Sequence, residues 1–346
     1  MKRAGRLMGR VLERENLREA YLRAARGKRS KPDAMAFGAR LDEELARLVR
    51  DVEDGTYRVG AYRKFTIFDP KERTITAPCF RDRVLHHALM LVCEPVFERT
   101  LIDDTYACRC GKGRIAALER AFAFARSYPW YLKMDVRKYF DSIDHEVLMA
   151  KLARRFKDPR VLDLFGKIIE SHQAGPGRGL PIGSLTSQHF ANFYLSGLDR
   201  SIKEDLKVGG YVRYMDDLVA WGDDRAGLLV VRDHVGSFLQ VELRLELKTD
   251  TPLNRVHMGM GFLGCRVYSS HVTLNRRSRR RFRRKLRWLE REHRAGRLGE
   301  AELQRRGTAL VAFTQAGPTA SWRLRDRVIG SSLVDDQGLE PRESRG

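Results

Sequence analysis

Three carboxylates stand where chemistry can be built on them. Two are adjacent, Asp216 and Asp217, in the stretch Tyr214-Met215-Asp216-Asp217. Tyr211-Val212-Arg213 precedes them and Leu218-Val219-Ala220-Trp221 follows, so β-favouring residues flank the acids on both sides. That pattern predicts a β-hairpin with the pair at its turn. The third acid is Asp135, near the end of Trp130-Tyr131-Leu132-Lys133-Met134-Asp135-Val136, which reads as a strand mostly buried in a sheet. Aspartate is also an ordinary turn residue, so the pair alone leaves a solvated turn and a cation site both open. Adjacent aspartates repel each other, however, and an acid at the end of a buried strand needs a partner. If the two strands are neighbours, the three acids meet at one sheet edge. Two magnesium ions between them, about 3.5–4 Å apart, would neutralise the cluster and support in-line phosphoryl transfer. Magnesium suits the task because it favours carboxylates together with phosphate oxygens.

The elements that must position these acids are readable in coarse form. Residues 1–55 form a basic helical lead-in, with Leu41, Leu45 and Leu48 at helical spacing and Gly55 as a stop. From Tyr57 to Ala77 two alternating runs flank the turn Asp69-Pro70-Lys71-Glu72, predicting a hairpin with Lys71 and Arg73 near its tip. Cations there would stabilise charge on a triphosphate, although a solvated turn has the same pattern. Helix is expected over 80–97. After Val136 a turn enters a helix, with Ser142 or Asp144 as its N-cap, and an amphipathic helical region covers 146–172. The break Gly175-Pro176-Gly177-Arg178-Gly179 leads through Leu180-Pro181-Ile182-Gly183-Ser184-Leu185-Thr186-Ser187-Gln188 into a helix containing Phe190, Phe193, Tyr194 and Leu198. Beyond the acidic hairpin the pattern predicts a helix over about 225–240, a strand over 243–249 and one β-like segment over 261–268. Helices mixed with strands, without a regular βαβ rhythm, make the fold class α+β with an antiparallel sheet.

Charge points to the partner. The 346 residues carry 66 Lys and Arg against 45 Asp and Glu, a formal net charge of +21, which marks a polyanion-binding protein with nucleic acid as the default ligand. The excess is concentrated after residue 276, where Arg276, Arg277, Arg279, Arg280, Arg281, Arg283, Arg284, Lys285 and Arg287 share one helical stretch. Phe282, Leu286 and Leu289 give that helix an apolar stripe to dock, and its cationic faces are expected to meet a phosphate backbone. No run of 18 apolar residues exists and Met1-Lys2-Arg3 is not followed by an apolar stretch, so no membrane partner is expected and the location is read as cytoplasmic. The five cysteines lack zinc-site spacing and are read as reduced thiols. Residues 331–346 are polar and expected to be disordered.

Taken in series, the motifs resemble the reverse transcriptases. The matching stretches are Lys71-Glu72-Arg73-Thr74-Ile75 with Arg81-Asp82-Arg83, Asp135-Val136-Arg137-Lys138-Tyr139-Phe140, Leu180 to Gln188, Tyr214-Met215-Asp216-Asp217, Leu247-Lys248 and Phe262-Leu263-Gly264. They follow the family's order over 57–268. The resemblance implies a right-hand polymerase: fingers and palm over 56–268 and a basic helical thumb over 269–330. It implies that Asp135, Asp216 and Asp217 hold two magnesium ions, with the Val136 carbonyl assisting. Lys71 and Arg73 would contact the incoming dNTP, and Phe140 would exclude a ribose 2′-hydroxyl. Lys248 falls near the lysine that serves the family as general acid for pyrophosphate. Phe262 and Gly264 match the primer grip. Gln188, Arg280 and Arg284 would lie along template RNA and the RNA–cDNA duplex.

One departure narrows the expectation. Most of the family has Gln at the position of Ile182 and Pro at that of Gln188. The form found here resembles the reverse transcriptases of diversity-generating retroelements, which copy a template-repeat RNA into cDNA with errors at template adenines. Exchanging an amide for an apolar side chain removes hydrogen bonds near the nascent base pair, so nucleotide geometry is policed less strictly. The resemblance also implies a small basic accessory protein. Alternatives are a group II intron-like, retron-like or defence-associated reverse transcriptase, or a catalytically silent RNA-binding scaffold. A full intron protein is expected to carry a maturase or endonuclease extension after the thumb. The acids and Phe140 favour an enzyme over a scaffold.

Overall fold

The computed structural model describes residues 3–68 and 72–312. Lys71, the expected tail over 331–346 and the last part of the expected thumb lie outside the described residues. In chain order the first elements are α1 (Met8–Leu12), α2 (Arg14–Ala25), α3 (Pro32–Ala39), α4 (Leu41–Glu53), β1 (Arg63–Phe68), β2 (Glu72–Ala77) and α5 (Phe80–Glu98). Next come α6 (Arg114–Ser127), β3 (Trp130–Asp135), α7 (Tyr139–Ser142), α8 (His145–Ala153), α9 (Pro159–Glu170), α10 (Leu185–Tyr194) and α11 (Ser196–Arg200). The chain continues through β4 (Gly210–Tyr214), β5 (Asp217–Gly222), α12 (Arg225–Leu243), β6 (Leu253–Arg255), β7 (Met260–Phe262), β8 (Cys265–Val267) and β9 (Val272–Leu274). The helices α13 (Arg276–Arg294) and α14 (Glu300–Ala312) close it. Among the described residues no helix is long and apolar enough to cross a membrane.

The contacts divide the chain into two units. The first comprises Met1–Asp103, Asp135–Leu206 and Asp233–Thr249. Its axis is α5, where Val84, Leu85, Ala88, Leu89, Val92, Cys93 and Phe97 are all buried, while Arg83, His87, Glu94 and Glu98 lie on its partly exposed side. The helices α1, α2, α3 and α10 pack on it. Phe97 centres an aromatic cluster, its ring 5.3 Å from Phe156 and 5.4 Å from Phe193. The basic lead-in is part of this core rather than an appendage, because Asp158 accepts hydrogen bonds from the Leu7 and Met8 amides at 2.7 and 3.0 Å. The same carboxylate caps α9 through the amides of Arg160 and Val161. The helical region expected over 146–172 consists of two helices, because Asp158-Pro159, an N-cap followed by a proline in the first turn, starts a new one. Asp144, not Ser142, caps α8 by accepting from the Val147 amide. The expected strand over 243–249 is also absent. Leu243 still belongs to α12, Arg244 takes a left-handed backbone (φ +52), and what pairs is an isolated bridge between Val136 and Leu247.

The second unit comprises Asp104–Met134, Lys207–Arg232 and the chain from Asp250 onward. Its four-stranded sheet has the order β4-β5-β3-β6. The strand β6 has three residues and pairs antiparallel to β3, with Tyr131 opposite Asn254; it is too short to leave a periodic signal. The single segment expected over 261–268 is a hairpin, since Leu263 and Gly264 (φ +46 and +81) turn β7 back onto β8, and β9 adds a third strand. Side chains of α6, both sheets and the 104–106 segment form one core containing Tyr131, Val212, Val219, Trp221, Phe262 and Val267. The arginine-rich helix forms as expected, capped by Asn275 and buried through Phe282 and Leu289, with α14 packed along it.

Candidate active site

The acidic hairpin is built for display. Tyr214 pairs with Asp217 in the β4–β5 register, which leaves Met215 and Asp216 as a two-residue loop. Such loops require a residue with positive φ, and Met215 supplies it at +57°. A side chain larger than glycine's in that region costs about 1–2 kcal/mol, so something must hold the turn. Arg213 does so: it is fully buried, and its guanidinium donates to the Met215 carbonyl at 3.0 Å. The outer edge of β4 is covered by the 104–106 segment, where the Arg213 amide donates to the Asp104 carbonyl and the Tyr106 amide to the Arg213 carbonyl. Asp216 and Asp217 are thus presented half-buried, on a short turn with a packed sheet behind it.

Asp217 holds a cation already. Its Oδ1 atom is buried and lies 2.9 Å from the Lys133 ammonium. Lys133 also donates to the Gly261 carbonyl at 3.1 Å, which ties the start of β5 to β7. Alternation along β3 puts Lys133 and Asp135 on one strand face. The strand order makes β3, which ends in Asp135, the sheet neighbour of β5, which begins at Asp217.

In the first unit Asp135 has a matching partner. Its buried Oδ1 lies 2.7 Å from the Lys248 ammonium, and its carbonyl accepts the Lys248 amide at 2.9 Å. Val136 is buried, and the chain then turns through Lys138 in a left-handed conformation (φ +44). Phe140 is half-buried, edge-on to Tyr139, and its carbonyl accepts the Leu180 amide at 2.8 Å. Among the described residues no group of three or more His, Cys, Asp and Glu side chains is gathered closely enough to hold a metal ion. Asp135 and Asp217 each face a lysine ammonium.

The loop over 180–188 is clamped to the β1–β2 ribbon within the first unit. The Thr76 amide donates to the Ile182 carbonyl at 2.7 Å. Gly183 (φ +117) lies so close to the ribbon that a Cβ there would sit 2.6 Å from Ile75 Cγ2, so only glycine fits. Ser184 hydrogen-bonds both Thr186, at 2.9 Å, and His86 Nδ1, at 3.2 Å. Burial pushes the His86 imidazole from its usual 6.5 down to about 4, so it serves as a neutral hydrogen-bonding group. Ile182 and Gln188 are half-buried, and Arg73 is exposed on β2 opposite Ile67.

The remaining sequence-derived residues lie on the second unit. Phe262 is 1% exposed with its ring in the core, so what the β7–β8 turn can offer a nucleic acid is backbone and Gly264. Arg280 and Arg284 are exposed one turn apart on α13. Lys133, Arg213 and His86 are not among the site residues expected from the sequence. The signal for the first two was a single cation inside an otherwise apolar strand run, and nothing local marked His86.

Comparison with known proteins gives the family. The profile described as reverse transcriptase (RNA-dependent DNA polymerase) matches residues 64–250, more than half of the chain. The chain belongs to the reverse transcriptase family. It is 25% identical over 278 residues to Protein YkfC of Escherichia coli K12, covering 66% of this chain and 72% of that protein. It is 26% identical to the group II intron-encoded protein LtrA of Lactococcus lactis over 46% of this chain and 28% of LtrA. It is also 26% identical to an uncharacterized 91 kDa protein in the cob intron of Schizosaccharomyces pombe, over 55% of this chain and 25% of that protein. This reverse transcriptase family member thus spans about a quarter of the length of the last two. Apo telomerase from Candida tropicalis superposes with a TM-score of 0.50 at 11% identity, over 68% of this chain and 53% of that one. The fold class is α+β of the right-hand polymerase type.

Proposed function

We propose that the chain is an RNA-directed DNA polymerase that extends a primer on template RNA with dNTPs. The observation that carries this reading is the Asp216–Asp217 pair, held on a strained two-residue turn by the buried Arg213, on the sheet strand beside the one that ends in Asp135. Asp135, Asp216 and Asp217, with the Val136 carbonyl, would hold two magnesium ions. The donor set fits: all are hard oxygen ligands, and the buried oxygens of Asp135 and Asp217 each lie at ion-pair distance from a lysine ammonium. Such ions supply activation of the primer hydroxyl and neutralisation of the triphosphate. Arg73 and Lys71 would bind the triphosphate, Phe140 would exclude the 2′-hydroxyl, and Lys248 would hold a proton for the departing pyrophosphate. Residues 56–268 would act as fingers and palm, and 269–330 as a thumb whose Arg280 and Arg284 meet phosphates. Five free cysteines suit the proposed cytoplasmic location.

Primer extension on an RNA template with magnesium tests this directly. Asp216→Ala is expected to lower the rate by at least about a hundred- to a thousandfold. Equal rates would leave an RNA-binding scaffold.

The finer reading is a reverse transcriptase of a diversity-generating retroelement, working with a small basic accessory protein and copying a template repeat with errors at adenines. It is supported by Ile182, whose carbonyl is used by Thr76 and whose side chain brings no amide to the nascent base pair. Errors concentrated at template adenines, and reduced by Ile182→Gln, are the expected result. An error spectrum unchanged by Ile182→Gln would favour an intron-encoded role, as the name of LtrA records for that protein.

A further inference from the structure

We propose that Lys133 is a positioning residue: a built-in counter-cation that keeps Asp217 neutralised in the resting chain and yields that carboxylate to a divalent ion. The inference rests on the reading of Asp217 as a metal ligand. Lys133 is a lone cation among Trp130, Tyr131, Leu132 and Met134, and its side chain is 25% exposed. Its ammonium lies 2.9 Å from Asp217 Oδ1, and that oxygen is buried. A carboxylate oxygen withdrawn from water is costly unless a positive group faces it, so the ammonium stabilises the acid while no metal is bound.

Two features make this partner replaceable rather than permanent. A lysine is a compact charge on a flexible stem, without the fork that locks arginine onto both carboxylate oxygens. Lys133 also has a second acceptor, the Gly261 carbonyl at 3.1 Å, so the ammonium keeps a hydrogen bond after releasing Asp217. The consequence is a competition: ammonium and divalent ion seek the same oxygen, and Lys133 sets how much ion is needed to win it. It also links the state of Asp217 to β7, the strand that leads into the Leu263–Gly264 turn.

The test is ion binding without turnover. Manganese is titrated into the purified chain, with neither nucleotide nor nucleic acid, and free ion is read by electron paramagnetic resonance. Lys133→Gln and Lys133→Met are expected to bind manganese about tenfold more tightly than wild type, the effect of removing a unit charge a few ångströms away at a partly buried site. Lys133→Arg, which keeps the charge, is expected to show no tightening. A purely structural tie would give the opposite sign, since losing it loosens Asp217 and weakens binding. Unchanged or weaker binding in Lys133→Gln and Lys133→Met therefore overturns the proposal. Asp217→Asn separates the two readings: if it binds manganese as wild type does, the metal assignment of Asp217 has failed, not merely the role of Lys133. Should the Lys133 variants not fold, acetylation of wild type by acetic anhydride, mapped by mass spectrometry, decides the matter. Lys133 labelling is expected to rise severalfold with manganese relative to the other lysines, and equal labelling overturns the proposal.

Discussion

Asp158 and Asp217 are both aspartates drawn partly or wholly out of water, and they are satisfied in opposite ways. Asp158, 7% exposed, accepts four backbone amides, from Leu7, Met8, Arg160 and Val161. Burial works against its charge, but the amides outweigh it and hold the carboxyl below the usual range. Asp217 faces instead a side-chain ammonium that can move. Asp82 is close to the first pattern, fixed by one backbone amide, that of Gly60 at 2.7 Å, together with the Tyr57 hydroxyl at 2.8 Å, and Asp135 with Lys248 follows the second. A carboxylate fixed by backbone amides holds segments together. One neutralised by a lysine remains available to another cation.

The contrast predicts a ranked series of stability effects, each read by chemical denaturation followed by circular dichroism. Asp158→Ala should have the largest effect, about 3–5 kcal/mol, because it strands several buried amides and frees the lead-in from α9. A loss near zero would put Asp158 in the other class. Acid comes next. The His86 imidazole is lowered from 6.5 to about 4 in the folded chain, so the unfolded chain binds the extra proton between those values. Stability is then complete above about pH 6.5 and falls as pH drops toward 4, by on the order of 3 kcal/mol from this residue. His189, lowered to about 4 by burial and by His87, adds to the same slope. A His86→Asn variant should show a flatter profile between pH 6.5 and 4.5, and an unaltered profile would contradict this. Asp144→Ala, losing the cap of α8 and an ion pair with Arg244 at 3.0 Å, should cost about 1–2 kcal/mol. Asp217→Asn should cost least, under about 1 kcal/mol, while abolishing primer extension. A large destabilisation there would erase the distinction between the two kinds of aspartate.

Much of the arrangement was legible from short-range pattern. The acidic hairpin, β3 with its terminal acid, the buried α5 and the arginine-rich α13 each announce themselves within a dozen residues, through alternation or helical spacing. The misread elements are those where local pattern is short or is overridden. Three-residue strands such as β6 and β9 have no period to detect, and the run from Leu243 to Thr249 alternates like a strand but is broken at Arg244 by a left-handed backbone.

The amino-acid sequence by itself determined the residue types at the site, their order along the chain and the excess of positive charge, because chemistry and periodicity are local properties. Only the tertiary structure decided who faces whom. It assigned Lys133 to Asp217 and Lys248 to Asp135, sent the buried Arg213 to the Met215 carbonyl, and made the basic lead-in part of the core through Asp158. The physical reason is that a charge on a long side chain can reach any of several partners. The choice among them is made by packing between segments up to 151 residues apart, and it leaves no periodic trace in the chain.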